Sequence, residues 1–157
     1  MRKTRLGLAA NIRTTSTALL QSALTDALDL RLDVKQAHWA VRGPHFQQLH
    51  TLFDSFVAPL DAEIDQMAER IATLGAIPDG RSGSVAGNTQ LEVYPVDLDD
   101  GLEHVAALAD RFAALGDKVR KSIDESAEAG DADTSDLFTA TSRFLDQTLW
   151  FLESHLA

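Results

Sequence analysis

Glycine and proline divide this chain into four long helical segments, and the spacing of these breaks limits its fold more than any other feature. Gly43-Pro44 interrupts the sequence early, a cluster of breakers extends from Gly75 to Pro95, and Gly130 lies late. Between them apolar residues recur at helical spacing, and no alternating pattern typical of a strand has useful length. We therefore expect helices over about residues 15–41, 44–74, 97–129 and 134–157.

The connection between the second and third helices, residues 76–96, is the only long one. A loop of about 20 residues is unusual in a compact domain and usually has a function or crosses the bundle, and we expect room in it for a short helix. Four long helices joined by a single long crossover are the connectivity of ferritin-like bundles. The sequence predicts one all-α, ferritin-like domain over residues 1–157, with a short basic segment at residues 1–14.

Composition excludes several classes of protein. The 157 residues are 45% apolar, which is enough to fill the core of one domain. The absence of cysteine excludes disulfide scaffolds, thiolate zinc sites and cysteine nucleophiles. The net charge of −10 repels nucleic acid and anionic membranes, and no apolar run approaches the ~18 residues of a transmembrane helix. The expected location is the cytoplasm.

Metal-ligating side chains lie along one stripe of the second helix. His50 and Asp54 are four residues apart, as are Asp65 and Glu69, so each pair shares a helix face. The eleven residues from Asp54 to Asp65 make about three turns, which brings both pairs onto the same stripe. Pro59 falls between the pairs and would be expected to cost about 3 kcal/mol or to kink the helix. The apolar pattern nevertheless keeps its phase across Pro59, so we treat the segment as one helix.

The two pairs are too far apart to bind one ion. Eleven residues of helix span about 16 Å, whereas metal–ligand bonds are only about 2.0–2.6 Å long. Each pair therefore acts alone, or the site is shared with a second chain. Two antiparallel copies of the helix, related by a twofold axis near its midpoint, would place the first pair of one chain opposite the second pair of the other and form two equivalent sites.

A fifth candidate ligand, His38, lies near the end of the first helix, and the turn at residues 43–44 lets it fold back beside His50. Two imidazoles and three carboxylates form a mixed nitrogen and oxygen set that suits iron. One chain would supply His38, His50 and Asp54, and its partner would supply Asp65 and Glu69.

Each of these residues taken singly is more often a solvated side chain, and Asp65 and Glu69 could instead pair with Arg70. Asp61 also lies near the stripe and could be a sixth ligand, but we interpret it as solvated. The remaining histidines have no comparable neighbours and are interpreted as structural; they are His45, His104 and His155.

Short motifs surround the candidate ligands and continue through the last two helices. They are Lys35-Gln36-Ala37-His38-Trp39, Arg42-Gly43-Pro44-His45-Phe46, Leu49-His50, Phe53-Asp54, Asp65, Met67-Ala68-Glu69-Arg70, Tyr94-Pro95, Ala109-Asp110-Arg111, Val119-Arg120-Lys121 and Leu149-Trp150-Phe151-Leu152-Glu153. Over nearly the whole chain this pattern resembles the Dps-type miniferritins, the DNA-binding proteins from starved cells. Larger ferritins build a site within one bundle from Glu-x-x-His motifs, and none occurs in this chain.

The resemblance implies a hollow dodecamer with a ferroxidase centre at each twofold interface, built from the five ligands named above. It implies that Fe(II) is oxidised there, preferably by hydrogen peroxide and with about two iron ions per site. The Fe(III) would be stored as a mineral core, which protects DNA from oxidative damage. The resemblance also places Trp39 beside the centre as a residue that intercepts oxidising radicals; packing at the interface is the equally open alternative.

An acidic cluster surrounds the turn between the third and fourth helices. In the family, similar clusters line threefold pores that admit cations; the alternative is a solvated turn with a helix cap. The cluster comprises Asp124, Glu125, Glu128, Asp131, Asp133 and Asp136.

DNA binding is the main alternative function. Family members that condense DNA usually carry a flexible lysine-rich tail, whereas the basic residues before the first helix are few: Arg2, Lys3, Arg5 and Arg13. The alternative is a DNA-binding, nucleoid-condensing protein whose metal site is mainly structural, and a helical oligomer without chemistry is a third interpretation. We carry forward the ferroxidase and iron store, associated with the nucleoid only if DNA is bound.

Overall fold

The computed structural model describes residues 1–157 and contains five helices and no strand. Helices α1 and α2 pack together, α4 and α5 pack together, and α1 also contacts α4, so the four long helices form one bundle. No helix has the length and hydropathy needed to cross a membrane. The helices are α1 (Ala10–Ala40), α2 (Phe46–Thr73), α3 (Ser82–Asn88), α4 (Gly101–Ala129) and α5 (Ala132–Glu153).

The expected all-α fold is confirmed, as is the short helix in the crossover, but the helices begin at different residues. Helix α1 begins at Ala10, so the segment before the first helix is residues 1–9 rather than 1–14. Helix α2 begins at Phe46 rather than Pro44, because Gly43 has a φ of +93° and residues 43–45 form a turn. Such a left-handed conformation interrupts a helix and favours glycine.

The ends of α4 and α5 are set by local hydrogen bonds. Asp100 and Glu103 form a capping box at the start of α4. Gly130, with a φ of +90°, ends α4. Asp131 then caps α5 by accepting a hydrogen bond from the backbone N–H of Thr134 at 3.2 Å. This cap is the reason that α5 begins two residues earlier than expected.

Helix α2 continues without a break through Pro59, so its two ends are held apart by one long rod. Pro59 lies on the exposed side of the helix, while the apolar side faces the bundle core. The buried residues of α2 are Leu49, Phe53, Phe56, Leu60, Met67 and Ile71, and they pack into the same core as Leu24 of α1 and Phe112 of α4. The apolar side therefore fixes which face of α2 points outward.

Polar side chains on one side of α1 anchor the crossover. The side-chain amide of Gln21 donates to the carbonyl oxygen of Asp79 at 3.0 Å and accepts from its N–H at 2.8 Å. Further along α1, Asp26 accepts from the N–H of Gln90 at 3.0 Å, and Asp29 accepts from the hydroxyl of Thr89 at 2.7 Å. These contacts hold the segments before and after α3 against α1.

Arg111 of α4 completes the attachment of the crossover. Its guanidinium donates to the carbonyl oxygens of Glu92 and Val93 at 3.0 and 2.8 Å, and to the carboxylate of Asp33 on α1 at 3.1 Å. It also lies 4.9 Å from the centre of the Tyr94 ring. Burial raises the pKa of Asp33 to about 7, the nearby charge of Asp29 adds to this, and Arg111 opposes it. Arg111 is thus the one buried cation that joins α1, α4 and the crossover.

Replacing Arg111 by Met should destabilise the fold by about 3–5 kcal/mol, because Asp33 would lose its partner in a buried position. Chemical unfolding measures this, and hydrogen exchange should show residues 89–96 opening before the rest. Arg120→Met is the matched control, since Arg120 lies on the same helix and forms an exposed pair with Asp146; it should change stability by only about 0–1 kcal/mol. Equal effects of the two substitutions would contradict the anchoring role.

Candidate metal centre

The structure brings His38 and His50 together where α1 and α2 meet at their connecting turn. Their rings stack with centres 3.7 Å apart. Nδ1 of His38 lies 2.7 Å from the carbonyl oxygen of His50, and Nδ1 of His50 lies 2.8 Å from the carbonyl oxygen of His38. A carbonyl oxygen only accepts, so both Nδ1 atoms carry the hydrogen and donate it. In the neutral rings both Nε2 atoms therefore keep a lone pair for a metal ion.

Asp54 lies beside the histidine pair, and Lys35 lowers the pKa of its carboxyl. Its Oδ1 atom is 3.9 Å from Nε2 of His38 and accepts a hydrogen bond from the ammonium group of Lys35 at 2.8 Å. This hydrogen bond lowers the pKa of the Asp54 carboxyl and the charge of Lys35 acts in the same direction, while loss of hydration opposes them. Three of the five expected ligands thus lie at one end of α2.

Asp65 and Glu69 lie toward the other end of α2, exposed to solvent. Their side chains make no hydrogen bond or ion pair within the chain. Arg70, the alternative partner considered for them, instead binds Asp131 at 2.6 Å and Thr134 at 3.0 Å. No three histidine, aspartate or glutamate side chains of one chain come close enough to hold a metal ion. The structure of one chain therefore does not unite the five residues.

The residues interpreted as structural make contacts of their own. His104 is fully buried, and its Nδ1 lies 2.8 Å from the hydroxyl of Tyr94. His155 bonds to the carbonyl oxygen of Phe151 at 2.7 Å, and His45 is exposed at the start of α2. Asp61 is not simply solvated, because it forms a two-pronged ion pair with Arg31 at 2.7 and 3.2 Å. The pair links α1 to α2 beside the candidate ligands.

Sequence reasoning missed Lys35. Besides binding Asp54, its ammonium group lies 5.6 Å from the centre of the Trp39 ring. The signal was present, since Lys35 and Trp39 are four residues apart and so are neighbours on a helix surface. Phe46 was missed as well; its ring lies 5.1 Å from that of His50 and covers one side of the histidine pair.

The acidic cluster at the α4–α5 turn is smaller than expected. Asp131 is buried, and although burial alone would raise its pKa, hydrogen bonds from Thr134 and the charge of Arg70 lower it overall. A residue engaged in this way is a helix cap and does not contribute to an exposed acidic surface. The exposed members are Asp124, Glu125, Glu128, Asp133 and Asp136.

Large apolar side chains remain exposed on the α1–α2 hairpin that carries the histidines. Leu32 is 55% exposed, Trp39 68% and Phe46 44%. An apolar surface of this kind is typical of a face that another protein surface covers. It lies on the same two helices as all five candidate ligands.

Comparisons with known proteins agree with this fold. The ferritin-like domain family matches residues 17–157. The DNA protection during starvation protein of Agrobacterium fabrum is 42% identical over 154 residues, which cover 98% of this chain and 95% of the relative. The structure of Dps from Mycobacterium smegmatis superimposes with a TM-score of 0.93 at 34% identity, covering 98% of this chain and 94% of that one.

A third comparison bears on the chemistry of the fold. The DPS protein of Vibrio cholerae, described as a member of a broad superfamily of ferritin-like diiron-carboxylate proteins, has a TM-score of 0.92 at 27% identity and covers 100% of this chain and 98% of its own. The fold, the family match and the sequence identity to these relatives all indicate the same family. This chain belongs to the ferritin-like family and, within it, to the Dps proteins, named for DNA protection during starvation.

Proposed function

We propose that this protein oxidises and stores iron at centres that two copies of the chain share. The observation that carries the proposal is the pair of reciprocal hydrogen bonds between His38 and His50. These bonds leave both Nε2 atoms free as ligands near Asp54, in a chain whose relatives include a protein described as a ferritin-like diiron-carboxylate protein. Nε2 of His38 lies 3.9 Å from the Asp54 carboxylate, which places one of these nitrogens beside a candidate oxygen ligand.

A second copy would complete the centre. The carboxylates of Asp65 and Glu69 are exposed, unpaired and on the same helix as Asp54, but Asp65 lies about 16 Å from Asp54 along the axis and Glu69 lies farther away. A twofold axis near the middle of α2 would bring them opposite the histidines of the other chain. The same contact would cover the exposed apolar residues Leu32, Trp39 and Phe46. His38, His50 and Asp54 of one chain, with Asp65 and Glu69 of the other, are the proposed metal ligands.

Iron is the substrate of this centre. Two Fe(II) ions give one electron each to hydrogen peroxide, which takes up two protons and leaves as two water molecules, so no hydroxyl radical is released. The protein orients the imidazoles, supplies three carboxylates that favour the Fe(III) charge, and keeps the two ions close together. We propose peroxide as the preferred oxidant and two iron ions per centre.

The oxidised iron would accumulate inside a hollow dodecamer assembled from these dimers. The five exposed acidic residues at the α4–α5 turn are proposed to attract Fe(II) toward entry pores. Gel filtration tests the assembly, since a dodecamer and a dimer of this 17.1 kDa chain differ sixfold in mass.

Substitution of the ligands tests the centre itself. His50→Ala and Asp65→Asn should each slow the rapid oxidation of Fe(II) by peroxide about 10–100-fold, because each removes a metal ligand. Stopped-flow absorbance measures the rate, and gel filtration checks that the cage still forms. His45→Ala, next to the same helix, and Asp110→Asn, an exposed carboxylate on α4, are the controls and should keep near-normal rates. Normal rates for both ligand variants would refute the proposed centre.

The structure bears on the DNA-binding alternative through the N-terminal segment. The backbone N–H of Arg2 donates to the carbonyl oxygen of Gly75, and the guanidinium of Arg13 donates to that of Leu74 at 3.2 Å. Both contacts satisfy carbonyl groups left over at the end of α2. Arg13 belongs to α1, and the segment before α1 is held through Arg2, unlike a free basic tail. Protection of DNA by iron chemistry is therefore the function we favour.

A gel-shift assay separates the two routes of DNA protection. We expect no shift of DNA at moderate salt, because few cations oppose a net charge of −10 per chain. A shift at moderate salt that disappears when Arg2, Lys3 and Arg5 are replaced by Ala would instead favour the nucleoid-condensing alternative.

A further inference from the structure

A cation lies against the tryptophan next to the metal centre. The ammonium group of Lys35 is 5.6 Å from the centre of the Trp39 ring, and it is held there by its 2.8 Å hydrogen bond to Asp54. The chain has only one other tryptophan, Trp150, and the ring of Phe151 lies 5.0 Å from it. The cation therefore lies beside Trp39, the tryptophan next to the candidate histidine ligands.

A nearby positive charge makes an indole harder to oxidise. The charge is attracted to the electron-rich face of the neutral ring, and it repels the radical cation that forms when the ring loses an electron. Coulomb repulsion between two unit charges 5.6 Å apart lowers the equilibrium constant for loss of the indole electron. The decrease is about threefold at the dielectric constant of water and about a hundredfold at that of a partly buried site. Lys35 is mostly shielded from solvent, which favours an effect above the lower limit.

We propose that Lys35 makes Trp39 the last electron donor at the centre, so that oxidant is consumed by iron before it reaches the indole. This rests on the proposed ferroxidase function. When a single Fe(II) reduces peroxide, the products are Fe(III), hydroxide and a hydroxyl radical. If Trp39 then reduces this radical to hydroxide, the indole loses one electron and afterwards its N–H proton, which converts the hydroxide to water. The positive charge of Lys35 disfavours the loss of the electron from the indole.

The geometry also links this protection to the ligand Asp54. The carboxylate partly cancels the positive charge of Lys35 while the two are paired. A metal ion bound through the other oxygen of Asp54 would leave the Lys35 hydrogen bond in place, offset the carboxylate charge and add positive charge of its own. Trp39 is then most resistant to oxidation when Fe(II) is available as the donor.

The test uses metal-free protein that carries Trp150→Phe, so that Trp39 is the only tryptophan. The oxidant is the trichloromethylperoxyl radical, which is neutral and is generated by pulse radiolysis. It takes one electron from the indole and becomes the trichloromethylperoxide anion. The rate of appearance of the tryptophan radical should rise several-fold in Lys35→Met, since the cation is lost and the Asp54 carboxylate is left unpaired. Lys35→Arg should keep the parent rate, because a guanidinium also lies favourably over an indole.

Lys121→Met is the matched control, since it removes an exposed lysine from α4 and leaves Lys35 in place. A Lys35→Met rate equal to that of Lys121→Met would overturn the proposal. Lys35→Gln serves as the second variant if gel filtration shows that the Met variant does not assemble. This measurement needs no iron, so it stands apart from any failure of the ferroxidase itself.

A second readout follows the protein during iron oxidation. After Fe(II) and limiting peroxide, mass spectrometry should find more oxygen added to the Trp39 peptide in Lys35→Met than in Lys121→Met. Equal oxidation of the Trp39 peptide in the two variants, with normal iron oxidation in both, would contradict the proposal that Lys35 makes Trp39 donate its electron after iron. Slow iron oxidation in the unmodified chain would count against the proposed function and not against the effect of Lys35 on the indole.

Discussion

The length of α2 constrains every other part of the site. An α-helix rises about 1.5 Å per residue and does not fold back on itself, so ligands eleven residues apart on one helix cannot meet on one ion. Helix α2 runs unbroken from Phe46 to Thr73, with its apolar side in the bundle core. Its outward stripe therefore presents two groups of proposed ligands that only a second copy, running in the opposite direction, could bring together.

The rest of the fold holds these two groups of ligands in place. The group that contains His38 is oriented by two backbone carbonyl oxygens and by Lys35, so little remains to be organised when a metal ion binds. The group that contains Glu69 lies next to Arg70, which is tied to the capping residue Asp131 of α5. The crossover is held against one side of α1 by polar groups of that helix and by Arg111 of α4.

Much of this arrangement could be predicted from the sequence because it follows from periodicity. Helical spacing and glycine breaks indicated four long helices, the crossover and the fold class, and the turn at Gly43 indicated that His38 meets His50. Helix starts were less predictable, since the start of α2 depends on the conformation of Gly43 and the start of α5 on a cap by Asp131. Spacing shows which residues share a face but not which neighbour they bind.

The partners of charged residues therefore had to come from the structure. Asp131 looked like the other carboxylates of its turn, yet it is buried against Arg70. Asp61 looked solvated, yet Arg31 binds it from another helix. The contact of Lys35 with Asp54 crosses nineteen positions of sequence and depends on how α1 and α2 pack. Such long-range pairings leave no periodic signal in a single sequence.

The shared centre is tested most directly by mixing two inactive chains. His50→Ala and Asp65→Asn chains, unfolded and reassembled together in equal amounts, should pair at random, so that half of the dimers contain one of each. In a mixed dimer one site receives both substitutions and the other receives neither. Mixing should therefore restore about a quarter of the rapid iron oxidation of the unmodified protein. No recovery in mixed cages of normal size would contradict a centre built from two chains.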